Sequence, residues 1–525
     1  MSQSHRVVRG VAMNWLSLGF GMVLAFFLSP FVVHHLGNVV YGVWTLVISM
    51  ISYMGLLDLG LRGAVTRYVS HHHAQSDHLS TNRIVSAVLW LRIWISLAVI
   101  LIGFILAQIA PRHFHIPAEL QGAARLAIAV ASASFAITLI GGVFGGVLAA
   151  LHRFDLLSTV AILQLAIRAV GIVWLLKTGH GIVALACWEW IVVTGVNLTQ
   201  VVMAFRIYPH LRVLFEKPER ILLSKIWGFS AYVFLIQISV QLMYYTDNLV
   251  VGAFVSTVGV TLFAIGGSLI EYQRQLVGSL VTTFLPLASK LEAAGEHQSL
   301  RNLLIQGTSV ALAISLPIEA ALLFRGPTFI GLWMGSQYAA ESGRVLQILL
   351  LGQIFSVTTH TSANIAYGIG KPKPMVPWRV GEAVANVCLS VLLVRAIGIY
   401  GVAWGTVLPS LFVSFFFFPR FICRSVGLNV GAYLRGSWLR AGIAVAPFAI
   451  ACYLTERFWH PAHLIQFCVQ IMAILPIYIF SVALIFGKEI VAFLKSQDLL
   501  PARLSWLWQP FLSSEKRPST SELQS

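Results

Sequence analysis

Charge is what this chain has least of. Charged residues make up 10% of its 525 residues and hydrophobic ones 58%, against roughly 25% and about 45–50% in a soluble domain. So little charge cannot cover a water-facing surface, and an ordinary soluble fold is excluded. Long polar segments are also missing. The longest internal ones run over about 62–83 and 206–225, too short for a soluble catalytic domain, and no phosphate-binding glycine loop of the Walker type occurs. Acidic residues are scarce, 19 against 35 lysines and arginines. The five cysteines (Cys187, Cys388, Cys423, Cys452, Cys468) lie in or at the ends of apolar stretches and read as small buried hydrophobes, not a disulfide framework or a zinc site. Alternation of polar and apolar residues is absent from runs such as Ile182–Ala204, which excludes a membrane β-barrel.

What remains is an all-α integral membrane protein. A helix of about 20 apolar residues crosses the hydrocarbon core. That ruler gives fourteen spans, at 11–33, 41–61, 84–109, 121–150, 157–177, 181–205, 226–254, 257–285, 303–324, 341–370, 378–396, 399–424, 438–455 and 464–486. Arg6 and Arg9 precede the first, which is too long for a cleaved signal and is expected to stay as a span. Placing the N-terminus inside puts 25 lysines and arginines in inner segments, 7 in outer ones and three in spans. This positive-inside bias predicts an even number of crossings with both termini cytoplasmic. It also accounts for the net charge of +16 without nucleic acid, because the basic loops face anionic lipid head groups.

Residues 26–49 and 243–266 share a hydropathy pattern, with Tyr41-Gly42-Val43 falling on Val258-Gly259-Val260. Six spans per half preserve orientation, so the expected organisation is two parallel six-helix lobes, 1–205 and 226–424, around a central cavity. A cytoplasmic loop, 206–225, joins them. Helices 13 and 14 occupy 425–486, and a cytoplasmic tail with a disordered end follows at 487–525.

The run Leu36-Gly37, Tyr41-Gly42-Val43-Trp44, Tyr53, Leu57-Asp58-Leu59-Gly60-Leu61 and Arg67-Tyr68 resembles the start of the polysaccharide-transport proteins, the lipid-linked oligosaccharide flippases (Wzx type) of the MOP exporter superfamily. Asp247-Asn248-Leu249-Val250-Val251-Gly252 resembles the opening of that family's second half. The likeness covers residues 8–425 by layout and these two stretches by motif. It implies a bilobed transporter in the bacterial inner membrane, working by alternating access and needing no cofactor. The implied cargo is a polyprenyl-pyrophosphate-linked oligosaccharide, such as an O-antigen or exopolysaccharide repeat unit. Membrane lipids and a glycan polymerase are the implied partners. The two additional helices are similar to those of the lipid II flippase branch.

A charge at mid-bilayer costs about 2.5–3.5 kcal/mol on insertion scales, so ionic residues in spans are expected to face a cavity or a partner. Gly267, Glu271, Arg274, Gly278 and Thr282 recur on one helical face, with Gln275 adjacent and Glu271 in pairing range of Arg274. The expected substrate-binding residues are Arg274, Glu271, Gln275, Arg168, Arg92, Gln241, Tyr244, Asn248 and Asn14. Hydroxyls and amides replace the hydration of sugars, and arginines hold pyrophosphate by charge-assisted hydrogen bonds. The competing reading is that these charges pair with one another and hold helices together. Asp58, Asp247, Glu189, Glu319 and Glu382 are the acids that could carry a coupling ion. His71-His72-His73 lies in a basic inner loop without neighbouring ligands, and no metal is expected there. Gly141-Gly142 and Gly145-Gly146 predict close helix packing. Two alternatives remain open: a polytopic glycosyltransferase or glycan polymerase, which needs acidic residues in a substantial outer loop, and a cation-coupled drug exporter, which needs an acidic, aromatic cavity.

Overall fold

The structure, a computed structural model, describes residues 3–58, 61–214 and 238–496, with the side chains of 3–12, 14, 62 and 488–496 outside the description. All regular structure among the described residues is helical. The helices are α1 (Gln3–Met54), α2 (Leu61–Ala74), α3 (His78–His113), α4 (Ala118–Ala150), α5 (Phe154–Lys177) and α6 (Ile182–Ile207). After α7 (238–254) come α8 (Thr257–Val281), α9 (Phe284–Ala293), α10 (His297–Met334), α11 (Ser336–Ala339) and α12 (Glu341–Gly368). The last six are α13 (Val376–Ile397), α14 (Ile399–Phe412), α15 (Phe418–Val426), α16 (Val430–Leu434), α17 (Arg440–Phe458) and α18 (Leu464–Ser496). Among the described residues ten helical segments are long and apolar enough to cross a membrane.

The first two predicted spans run together as α1, bent at Gly37. Its φ of 75° lies in the left-handed region, which a side chain disfavours, so glycine sets the bend. Gly398, at φ 61°, separates α13 from α14 in the same way. The twelfth predicted span is continuous as α14, a π-helical turn (Val413–Phe417) and α15. The widened turn begins four residues after Pro409, in a region where the helical ladder already lacks one N–H donor. At the other end of the chain's first loop, Asp77 caps α3 by accepting from the backbone N–H of Ser80 at 2.9 Å. Hydrogen bonding from Ser80 holds the Asp77 carboxyl below its ordinary range.

The chain forms two compact units. One comprises Met1–Ser279, Trp333–Ser356 and Pro372–Phe417; the other comprises Leu280–Leu332, Val357–Lys371 and Phe418–Ser525. In a bilayer there is no hydrophobic drive between helices, so tight packing and polar links must hold each unit together. In the first unit α3, α4 and α6 pack through Val85, Val88, Val143, Val147, Leu148 and Ala204. The glycine pairs of α4 are part of this contact. A Cβ on Gly142 would lie 2.7 Å from Nη1 of Arg92.

A second cluster joins α1 to α7, α8 and α14 through Val43, Leu46, Val47, Val251, Val260 and Val402. Here the two similar sequence pieces meet. Gly42 packs against the backbone of Thr257 so closely that a Cβ would overlap its carbonyl oxygen. Thr261 Oγ1 donates to the carbonyl of Asn38 at 2.6 Å.

The second unit has a polar knot of its own. Arg325 in α10 is fully buried, donating from Nε to Glu456 at 3.2 Å and from Nη2 to Gln470 at 2.5 Å. Thr328 Oγ1 donates to the other oxygen of Glu456 at 2.5 Å. These links tie α10 to α17 and α18.

Candidate functional site

A cavity of about 410 Å³ lies within the first unit. Tyr41, Thr45 and Ser49 of α1 form one wall, and Tyr244, Tyr245, Asp247 and Asn248 of α7 another. Gly267, Ser268, Glu271, Arg274 and Gln275 of α8 face them, with Gln353 and Ser356 of α12 and Thr406 and Ser410 of α14 completing the lining. The α8 residues arrive together because 267, 271 and 274 recur at helical spacing. Gly278 and Thr282 continue that stripe in sequence but lie beyond the lining.

Arg274 is the charged centre of the cavity. Its Nη2 is paired with Glu271, whose other oxygen accepts from Gln275 Nε2 at 2.8 Å. The guanidinium lies over the Tyr244 ring, 3.4 Å from its centroid, a cation–π contact that also orients the plane. Arg274 is the only lysine or arginine in the described lining.

The buried acid Asp247 anchors a polar chain at the cavity floor. Its Oδ2 accepts from Thr406 Oγ1 at 2.7 Å, and that hydroxyl accepts from Asn386 Nδ2 at 2.8 Å. Asp247 Oδ1, Asn386 Oδ1 and Asn248 Oδ1 are buried acceptors without a donor. Asn248 donates to Ser49 Oγ at 3.2 Å.

The other expected residues are placed as follows. Gln241 donates to the carbonyl of Ser52, outside the lining. Arg92, 1% exposed, is paired with Asp58 and also donates to the carbonyl of Leu139, away from the cavity. Arg168 pairs with Glu189 at 2.8 Å between α5 and α6. Glu382 is held by Arg379 at 3.0 Å, and Glu319 is buried in the second unit. The side chain of Asn14 lies outside the described residues. The sequence reading omitted Gln353, Ser356, Thr406 and Ser410. Their spacings of three and four within apolar spans were the available signal. It also omitted Arg325–Glu456–Gln470, whose members are too far apart in sequence for periodicity to connect.

The fold is that of the MOP-superfamily transporters. A structure described as the lipid II flippase MurJ in an inward closed conformation superimposes with a TM-score of 0.70 at 14% identity, covering 92% of this chain and 100% of that one. An inward-facing multidrug resistance MATE family transporter of the MOP superfamily gives 0.65 at 14% identity, with 81% and 96% covered. Residues 36–343 match the polysaccharide biosynthesis protein family, and the chain belongs to it. The membrane protein EpsK of Bacillus subtilis is 22% identical over 484 residues, 87% of this chain and 89% of EpsK. The probable flippase AglR of Haloferax volcanii is 22% identical over 391 residues, 73% of this chain and 76% of AglR. With ten helical segments among the described residues long and apolar enough to cross a bilayer, the chain is a multi-pass membrane protein.

Proposed function

We propose that this protein is a transporter that flips a polyprenyl-pyrophosphate-linked oligosaccharide, such as an O-antigen or exopolysaccharide repeat unit, from the cytoplasmic to the outer leaflet by alternating access. The observation that carries the reading is a single guanidinium, paired with Glu271, in a cavity that also presents Asp247, hydroxyls, amides, tyrosines and apolar side chains. Hydroxyls and amides exchange hydrogen bonds with sugar, the tyrosine faces suit the apolar faces of sugar rings, and the guanidinium holds phosphate. The name of AglR as a probable flippase supports the same class. In this reading the chain crosses a bacterial inner membrane fourteen times with both termini cytoplasmic. Residues 1–205 and 226–424 are the two lobes and 425–486 the additional helix pair, while most of the expected link (206–225) and tail (487–525) lies outside the described residues. A glycan polymerase receives the product.

Asp247 is the coupling residue we favour. Three buried oxygen acceptors without donors lie on Asp247, Asn248 and Asn386, an arrangement suited to a proton or a small cation. Asp58, Glu189 and Glu382 are each held by an arginine, which makes them weaker carriers.

Arg274→Ala is expected to abolish glycan export while protein persists in the membrane, with Arg274→Lys recovering part. The measurement is the lipid-linked saccharide left on the inner leaflet. Normal export by the alanine variant removes Arg274 from the site and the reading with it. Equal loss of export of cationic dyes, with saccharide transport intact, would transfer the cavity to the drug-exporter class.

A further inference from the structure

Building on the flippase reading, we propose that Glu271 sets a charge threshold for cargo: a head group must bring two negative charges to the cavity, and one is not enough. Arg274 does not wait unpaired. Glu271, three residues earlier on the same helix, already holds it, Gln275 fixes the second carboxylate oxygen at 2.8 Å, and Tyr244 covers one face of the guanidinium. Any anion that takes Arg274 therefore competes with a carboxylate tethered by the backbone, whose effective concentration is far above that of a ligand arriving from the bilayer.

The exchange can be followed charge by charge. A monoanion, such as a phosphodiester or a uronate, replaces one ion pair with another of the same kind. It loses the tether and leaves Glu271 without its counter-charge, so it gains nothing. A pyrophosphate diester carries two charges, draws on Arg274 twice as strongly and retains a surplus after Glu271 is displaced. The geometry lets Glu271 move: its side chain is 40% exposed, against 17% for Arg274, so the carboxylate has open space on its far side while the guanidinium stays seated. No second lysine or arginine lies in the described lining to capture a monoanion by another route. The same carboxylate then keeps ordinary anionic phospholipids, which surround the protein in large excess, from occupying the cavity.

The test uses the full chain in nanodiscs and two matched probes, farnesyl-pyrophosphate-linked hexose with two charges and farnesyl-phosphate-linked hexose with one. Binding is followed by titration calorimetry. The wild type is expected to bind the pyrophosphate probe and to bind the phosphate probe at least about tenfold more weakly. Glu271→Gln should tighten the phosphate probe by about tenfold, bringing it into the measurable range. Glu271→Asp, which keeps the charge, should stay close to the wild type. In the Arg274→Ala background neither probe should bind measurably, and Glu271→Gln should not restore either, because the carboxylate acts through the guanidinium; a merely structural role would not produce that coupling. The proposal is overturned if Glu271→Gln leaves the phosphate probe unbound, or if Glu271→Gln brings the phosphate probe to measurable binding without Arg274. If Arg274→Ala alone binds the pyrophosphate probe as the wild type does, the flippase site itself has been misassigned, a distinct failure.

Discussion

Arg92 and Arg274 both sit in apolar helices and both hold an acid, but they belong to different kinds of region. Arg92 is 1% exposed and binds Asp58 and the Leu139 carbonyl, with the bare Cα of Gly142 making room beside Nη1. Two of its contacts, the Leu139 carbonyl and the Gly142 Cα, belong to α4 and cannot leave without opening the packing of α3 against α4. Arg274 has a ring, a neighbour from its own helix and a cavity in front of it. Arg92 is tied by ion pair and hydrogen bond to other elements, whereas the ion pair of Arg274 lies within its own helix.

The sharpest way to break this contrast is Arg92→Ala. The substitution empties the site of a fully buried side chain and removes a donor from the Leu139 carbonyl, at about 2–5 kcal/mol for a large-to-small change in a packed interior, while Asp58, 35% exposed, can turn to water. We expect a large fall in thermal midpoint in detergent and poor recovery from membranes. In Arg274→Ala the midpoint should fall much less, in keeping with the at most about 1 kcal/mol of a solvent-accessible pair. Equal losses in the two variants would erase the distinction.

The acids repeat the contrast on a smaller scale. Asp58 is engaged by an arginine, while Asp247 keeps one oxygen without a donor. Asp247→Asn should leave cargo bound but flatten the dependence of transport on an imposed ion or proton gradient in proteoliposomes. A response as steep as the wild type's would move the coupling site elsewhere.

The smallest expected effect lies outside the membrane. Asp77 has its carboxyl held below the ordinary value by Ser80. A depressed carboxyl pKa contributes stability that is present above the unfolded value, about 3.9, and is lost as pH falls through the folded one. Amide exchange at Ser80 and Thr81 should therefore accelerate on acidification below that range, and Asp77→Ala should exchange fast at every pH. A wild-type profile that is flat with pH would show that the cap contributes nothing.

The class of fold was legible because lipid leaves few options. Long apolar runs must be helices, and glycines and short polar connections mark where they end. The face of α8 was legible too, since 267, 271 and 274 share one helical side. Helical spacing shows which residues align along one helix, but not which helix they meet. Arg92 and Arg274 therefore looked alike in sequence, although Asp58 and Leu139 claim one of them and the cavity the other. Thr406 and Ser410 went unnoticed because a hydroxyl in an apolar span can satisfy itself on its own backbone. Thr406 does so in part, reaching Val402 at 3.2 Å, and only the fold shows its second bond to Asp247.

The meeting of Gly42 with Thr257 has a mechanical consequence. Side chains can yield by rotating, but a main-chain atom pressed against a bare Cα has no such freedom. With the Thr261–Asn38 link made beside it, the seam can part only by a shift of helix backbone and not by the turning of a side chain. Such a contact works as a latch between the two similar stretches of the chain.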